Sequence, residues 1–275
     1  MAEADLKATV EALQKQVQIL TAESEVRKLH HKYGYYLDKC LYQEVVDLFA
    51  DHPDTSVQFL GGRFLGKAGA RRLYIGRFMN NFTGRNGPLH GFLLDHLLAQ
   101  DIVDIDTSWE TPIARMRLRT LMSAGTHESL GEEGVMGGQR QWWEGGVYEN
   151  DYILENGVWK IFHLRYFPFW HADFDKGWQK TRPNYVPFFS KTYPEDPAGP
   201  DELTENNMMW PDTRVNKYHA RSFFFGSLSD LFLFCQVVPF HYPHPVTGAW
   251  VNPLDLRAPK KGEEAEKATK EIDII

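Results

Sequence analysis

Cysteine is almost missing from this sequence. Cys40 and Cys235 are the two present, far apart and without a CxxC partner. That excludes a disulfide framework and a thiolate metal knot. Both are expected to be reduced and buried, in a cytoplasmic protein. Long apolar runs are missing as well. The longest, Phe223 to Phe234, is too short and too interrupted to span a bilayer. Residues 1–20 are charged and periodic where a secretory leader would be apolar. Positive charge is in deficit, with a net charge of −7, which argues against a nucleic-acid partner or an anionic membrane surface, since either needs a basic face. No GxSxG, Walker or dinucleotide fingerprint occurs. The histidines do not fall at tetrahedral ligand spacing: His30 and His31 point apart on a helix, and His241 and His244 flank Pro243 on an irregular segment. The expectation is chemistry that needs neither a metal nor an organic cofactor. No internal repeat is visible.

Aromatic rings, by contrast, are abundant: 8 Trp, 12 Tyr and 18 Phe make up 14% of the chain. They predict either a large core or a pocket for a flat aromatic ligand, because ring faces stack well on rings. Apolar content of 43% and charged content of 24% are those of an ordinary globular protein.

Periodicity divides the chain. Leu6, Val10, Leu13, Val17 and Leu20, spaced 4, 3, 4, 3, form a heptad seam on an N-terminal helix over residues 1–23. The seam is too short for a free coiled coil and is expected to pack on the domain or on a neighbouring subunit. A second helix is expected from Ser24 to Asp38, a short one from Gln43 to Phe49, a strand at Ser56–Leu60 and a helix at Lys67–Phe82. From Asp95 the period becomes two, predicting strands at Leu97–Asp106, Ile113–Met122, Gln139–Leu154 and Trp159–Phe167, with Gly125–Gly138 a loop and Asn156-Gly157 a hairpin turn. Arg115, Arg117 and Arg119 alternate with Ala114, Met116 and Leu118, which gives that strand one polar and one buried face. Helices followed by a meander make an α+β domain over residues 24–167. Twelve of the fifteen prolines lie from Pro168 onward. Residues 168–275 are therefore expected to form an extended aromatic arm, with only Lys260–Lys270 charged enough to fray.

Several segments carry a family resemblance. Tyr33-Gly-Tyr-Tyr-Leu-Asp38, Asp47-Leu-Phe-Ala-Asp51, Gly66-Lys-Ala-Gly69, His96-Leu-Leu-Ala-Gln-Asp-Ile-Val-Asp-Ile-Asp106 and Gly157-Val-Trp-Lys-Ile161 occur in this order. Together they resemble the SnoaL-like members of the nuclear-transport-factor-2 superfamily. The resemblance implies a cone-shaped, curved antiparallel sheet with packed helices around one small-molecule pocket, and for many members cofactor-free acid–base chemistry. In the arm, Lys191-Thr-Tyr-Pro-Glu-Asp-Pro-Ala-Gly-Pro-Asp-Glu-Leu203 and His241-Tyr-Pro-His-Pro-Val-Thr-Gly248 resemble the diarylpropane lyase group. That group implies loss of formaldehyde from lignin-derived phenolic dimers, and a homo-oligomer with a trimer ahead of a dimer. A dehydratase or isomerase of a polycyclic substrate is the alternative, and a non-catalytic binding or scaffold protein is a third.

Four residues are candidates for catalysis. Asp38 closes the second helix and matches a pocket aspartate of the dehydratases; its competing role is a turn carboxylate that binds backbone amides. His96 opens a strand, and an imidazole exchanges protons near neutral pH without extreme tuning. Tyr33 and Tyr36 lie one helical turn apart on one face; Tyr33 resembles the tyrosine that donates to a developing oxyanion, although either ring could be core. His90, Tyr148, His163 and Arg165 are candidates for substrate binding. His163 and Arg165 share the parity of Trp159 and Ile161 and so are expected on the same face, unless Arg165 is paired with an acid in a purely structural role. Tyr148, Asn150 and Tyr152 oppose Glu149 and Asp151 across their strand, and alternation alone does not say which set faces inward.

Overall fold

The computed structural model describes residues 3–108, 111–133, 141–181, 185–204, 238, 240–251 and 256. Cys235, Phe223–Phe234, Lys260–Lys270 and the latter part of the 125–138 loop lie outside the described residues. Residues 1–206 form one compact unit and 207–275 another.

The first unit is built on a long helix, α1 (Glu3–Asp38). No break separates the seam from the segment beginning at Ser24, because residues 3–38 contain neither proline nor a cap between them. The two expected helices are therefore one. Its second half buries Ala22, Val26, His30, Tyr33 and Leu37, whose spacing of four, four, three and four keeps them on one stripe. Its first half buries nothing comparable: Leu6, Val10, Leu13, Val17 and Leu20 are between 44% and 65% exposed. The helix ends in a Schellman motif. Cys40 takes the left-handed conformation, its N–H donates to Leu37 O, and the Leu41 N–H donates to Tyr36 O. This fixes where Asp38 stands.

Next come α2 (Tyr42–Asp47), the hairpin β1 (Ser56–Phe59) and β2 (Gly62–Leu65), and α3 (Gly66–Arg71), which continues as a wide π-type helix over Arg72–Thr83. Four long strands then follow as an antiparallel meander: β3 (Phe92–Asp106), β4 (Ile113–Thr126), β5 (Gln141–Glu155) and β6 (Val158–Asp173). A short helix α4 (Gly177–Lys180) and a two-residue strand β7 (Glu202–Leu203) complete the unit.

The strand order is β3-β4-β5-β6-β1-β2-β7 in one curved, open sheet with helices packed on it. The expected architecture holds with one difference: the sheet is mixed, because β1 pairs with β6 in parallel, Ser56 opposite His163. β1 arrives from α2 rather than from a hairpin with β6, so its direction is set by the helical crossing. The last meander strand also runs six residues past Phe167, to Asp173. Pro168 is accommodated at a register irregularity of this pairing.

Two bulges in β6 decide which side chains face the helices. Asp151 pairs with His163 but Tyr152 pairs with Ile161, leaving Phe162 as an extra residue. Further on, Gly145 pairs with Trp170 and Gly146 with Pro168, leaving Phe169 extra. Each extra residue inverts the alternation. The face toward the helices therefore carries Trp159 and Ile161, then Leu164 and Tyr166, then His171. Phe162 instead joins Ala50, Ile113 and Ile153 in a separate cluster on the other face. Gly146 is needed at the second bulge, since a Cβ there would meet Phe167 O at 2.5 Å.

The arm begins by lying along β2. The Phe189 N–H donates to Leu60 O, Arg63 pairs with Glu202, and Arg72 pairs with Asp201. In the second unit, the Phe240 and Tyr242 rings stack 5.3 Å apart, and a tight turn joins the His244 N–H to Ala249 O.

Candidate active site

A cavity of about 520 Å³ lies between the sheet and the helices, within the usual range for a small-molecule site. α1 contributes Tyr33 and Leu37, and the wide helix contributes Leu73, Tyr74, Phe78 and Phe82. The sheet contributes His96, Met122, Trp142, Glu144, Tyr148, Tyr166 and His171. Arg77, Asn81, Val186 and Pro187 also line it; the Arg77 guanidinium lies 4.4 Å from the centroid of the Phe189 ring.

Asp38 and His96 meet. Asp38 Oδ1 lies 2.6 Å from His96 Nδ1 and accepts the His96 backbone N–H at 3.0 Å. Each side chain is only 9% exposed. The carboxylate thus holds the ring from Nδ1, leaving Nε2 as the nitrogen that the cavity can use. Asp38 does bind a backbone amide, as its competing role anticipated, but on β3 and together with the imidazole. Gly34 faces β3 closely: a Cβ there would lie 2.8 Å from Leu98 Cδ1, so a larger residue would require the Leu98 side chain to shift.

Behind this pair stands a buried tyrosine group. The Tyr33 and Tyr74 hydroxyls are 2.9 Å apart, and the Tyr148 and Tyr166 rings lie 4.9 Å apart. Burial pushes the Tyr33 phenol up to about 12, with hydrogen bonding to Tyr74 and Tyr148 offsetting part of the rise. Burial holds Tyr74, Tyr148 and Tyr166 well above the ordinary phenol range. These groups keep their protons at neutral pH and serve as donors. Below them His30 is fully buried. Its Nδ1 accepts from the Tyr152 hydroxyl at 2.8 Å, and burial lowers its pKa to about 3. It stays neutral and anchors the tyrosine layer without exchanging protons.

A second acid–imidazole contact lines the same cavity. Glu144 Oε2 lies 2.6 Å from His171 Nε2, and the Tyr166 hydroxyl donates to Glu144 Oε1 at 3.2 Å. Burial pushes the Glu144 carboxyl up, but His171, with smaller contributions from His96 and Tyr166, outweighs it and holds the carboxyl below the usual range. Glu144 and His171 were not among the residues singled out from sequence. Glu144 shares the parity of Tyr148, so extending that alternation would have found it; His171 shares the parity of Trp159 and Ile161, since the two inversions cancel, but it lies beyond Phe167, where the strand was expected to end.

The remaining candidates do not line the cavity. Tyr36 is half-buried and packs against the core. His90 is exposed. His163 bonds Ser56 Oγ through Nδ1 at 2.9 Å. Arg165 pairs with Asp151 at 2.7 Å and donates to Glu149 O. The bulge at Phe162 turns both away from the face of Trp159 and Ile161, which corrects the face expected for them. Tyr148 does line the cavity, as do Tyr33 and His96. Among the described residues, no group of three or more His, Cys, Asp or Glu is arranged to hold a metal ion, and no helix is long and apolar enough to cross a membrane.

Comparison with known proteins gives one family match: the SnoaL-like domain model, over residues 18–165. Among solved structures, a provisionally assigned scytalone dehydratase from Novosphingobium aromaticivorans DSM 12444 is 17% identical, with 56% of this chain and 89% of that chain covered at a TM-score of 0.43. The hexachlorocyclohexane dehydrochlorinase LinA-type3 from Novosphingobium barchaimii LL02 is 15% identical, with coverage of 56% and 90% and a TM-score of 0.42. No curated protein matches the sequence.

Proposed function

This chain belongs to the SnoaL-like domain family, and on that premise we propose that it is an acid–base lyase acting on a phenolic aromatic dimer of the lignin type. The observation that carries the proposal is His96, held by Asp38 with its second ring nitrogen left to an aromatic-walled cavity. Fold alone would not suffice, because this architecture serves many functions. A scaffold has no need of a paired imidazole on the wall of an aromatic-lined cavity.

The chemistry proceeds in two halves. His96, protonated, gives its Nε2 proton to the benzylic hydroxyl, the C–O bond breaks, and water leaves. The phenol proton is taken up in the same step, so the ring becomes a quinone methide. Neutral His96 then accepts the proton of the primary alcohol. Its carbon leaves as formaldehyde, the electrons of the broken C–C bond restore the aromatic ring, and the phenol regains its proton. The products are a stilbene, water and formaldehyde. Asp38 keeps the imidazole oriented and stabilises its charged form. Tyr33, coupled to Tyr74, donates to the oxygen that gains negative charge.

Product analysis over a panel of phenolic diaryl propanediols tests this. Formaldehyde and stilbene in equal amounts are expected. A dehydrated product that keeps its primary alcohol carbon would point instead to a simple dehydratase, the second reading.

We also propose that the exposed heptad seam of α1 packs on other copies of the chain, with a trimer favoured over a dimer by family resemblance. Five large apolar side chains in a/d register have no partner surface on their own domain among the described residues. Deleting residues 1–20 should lower the assembly state seen by light scattering at micromolar concentration. A full-length chain that runs as a monomer would refute the proposal.

A further inference from the structure

Glu144 and His171 have no part in the reaction as described so far, yet they line the same cavity. Strand register places them in one row with His96: His96 pairs with Met122, Met122 with Glu144, and Glu144 with His171. Two inter-strand steps put the Glu144 Cα about 10 Å from that of His96. The apolar Met122 separates them. The row thus presents two polar stations at the two ends of an apolar floor.

Glu144 is suited to hold a donor. Among the described residues it is the only carboxylate lining this cavity. It is 8% exposed, and burial, although it works against ionisation, is outweighed by His171, so the group is an anion. Oε2 meets His171 and Oε1 meets Tyr166. An ionised carboxylate has about four acceptor positions, so each oxygen retains one. An anionic end of a substrate would be repelled there, whereas a neutral hydroxyl would be bound.

We infer that Glu144, backed by His171 and Tyr166, is the subsite for a neutral phenol hydroxyl of the substrate, at the end of the cavity away from His96. The inference rests on the proposed lyase reading and deepens it by naming the group recognised: a ring bearing a hydroxyl para to its benzylic carbon spans the two stations. The phenol proton passes to Glu144 as the benzylic C–O bond breaks, and its electron pair enters the ring. When the ring is restored, the phenolate oxygen takes that proton back from Glu144. Glu144 therefore ends each cycle ionised, as His96 ends it protonated.

The test is fluorescence titration of the full chain with trans-4-hydroxystilbene and trans-4-methoxystilbene. In the second ligand a methyl group replaces the phenol proton, which removes the donor. The wild type should prefer the phenol by about 10- to 100-fold, the value of a hydrogen bond to a charged acceptor. Glu144→Gln should reduce the preference to within about threefold. Glu144→Asp keeps a charge beside His171 but withdraws it by one methylene, and should lower the preference by at least about threefold. It serves as the second variant should Glu144→Gln melt early. His96→Gln should leave the ratio unchanged. Equal affinity for the two ligands in the wild type, an undiminished preference in folded Glu144 variants, or a preference lost only in His96→Gln would overturn the inference. If neither stilbene binds the wild type, the aryl-substrate reading falls with it. A retained Glu144-dependent preference without formaldehyde release would sink the lyase reading and leave the subsite standing.

Discussion

Asp38→Asn and His96→Ala each lower turnover by about 10²-fold or more, with the protein still folded. General acid–base groups contribute effects of this size. The two changes act on one unit and so should not add in the double variant. His96→Ala removes the proton carrier. Asp38→Asn leaves the ring in place but turns an acceptor toward Nδ1 into a possible donor. That stabilises the tautomer with its proton on Nε2, so the base faces the wrong way. The loss should appear in kcat, with KM nearly unchanged, because neither change removes the aromatic walls that bind the substrate. Tyr33→Phe should cost about 10- to 10³-fold if its hydroxyl donates to the developing oxyanion, whereas Tyr36→Phe should cost little, since that ring packs outside the cavity lining. Thermal melting must accompany the kinetics, because Asp38 also binds the His96 backbone. If Asp38→Asn and His96→Ala remain folded and turn over the true substrate at near-normal rates, the site assignment is wrong.

Arg165→Met destabilises the fold by about 3–5 kcal/mol, the cost of stranding one partner of a buried ion pair. Arg165 and Asp151 are 5% and 4% exposed, and the guanidinium also serves Glu149 O. Burial pushes the Asp151 carboxyl up, but Arg165 first, and then His163, hold it below the usual range. A depressed folded pKa means that the unfolded chain binds its proton first as the pH falls. The pair's stabilisation is therefore full above about pH 4 and is lost as the pH falls through the folded value. In Arg165→Met the cation is gone, burial dominates, and the sign reverses: mild acid should recover part of the lost stability. Denaturant unfolding at pH 7 and near pH 5 measures both effects. Replacing both residues, as Arg165→Met with Asp151→Leu, should restore most of the loss, because well-packed apolar groups often substitute for a buried pair. A single-variant loss below about 1 kcal/mol would mean that the pair behaves as a solvated one.

The candidate site was legible where its signals were local. Asp38 falls at a helix end and His96 at an inward position of an alternating strand, and both lie within short motifs that share the family's order. Tyr33 lies on the buried stripe of α1. Arg165 and His163 were not legible, because their faces depend on Phe162 being unpaired. Glu144 was within reach of alternation but is an acid of unremarkable context in sequence.

What the sequence by itself determined is the order of helices before meander, the apolar stripes and the aromatic lining, since these follow from periods of 3.6 and 2 that each segment carries in its own residues. What only the tertiary structure decided is the parallel seating of β1 on β6, the continuity of α1, and the two bulges: the one at Phe162 turns His163 and Arg165 away, and the one at Phe169 brings Tyr166 and His171, five residues apart, to one face. Alternation predicts a face only while every residue has a partner across the ladder. Whether one is left over is set by the neighbouring strand, whose residues lie far away along the chain.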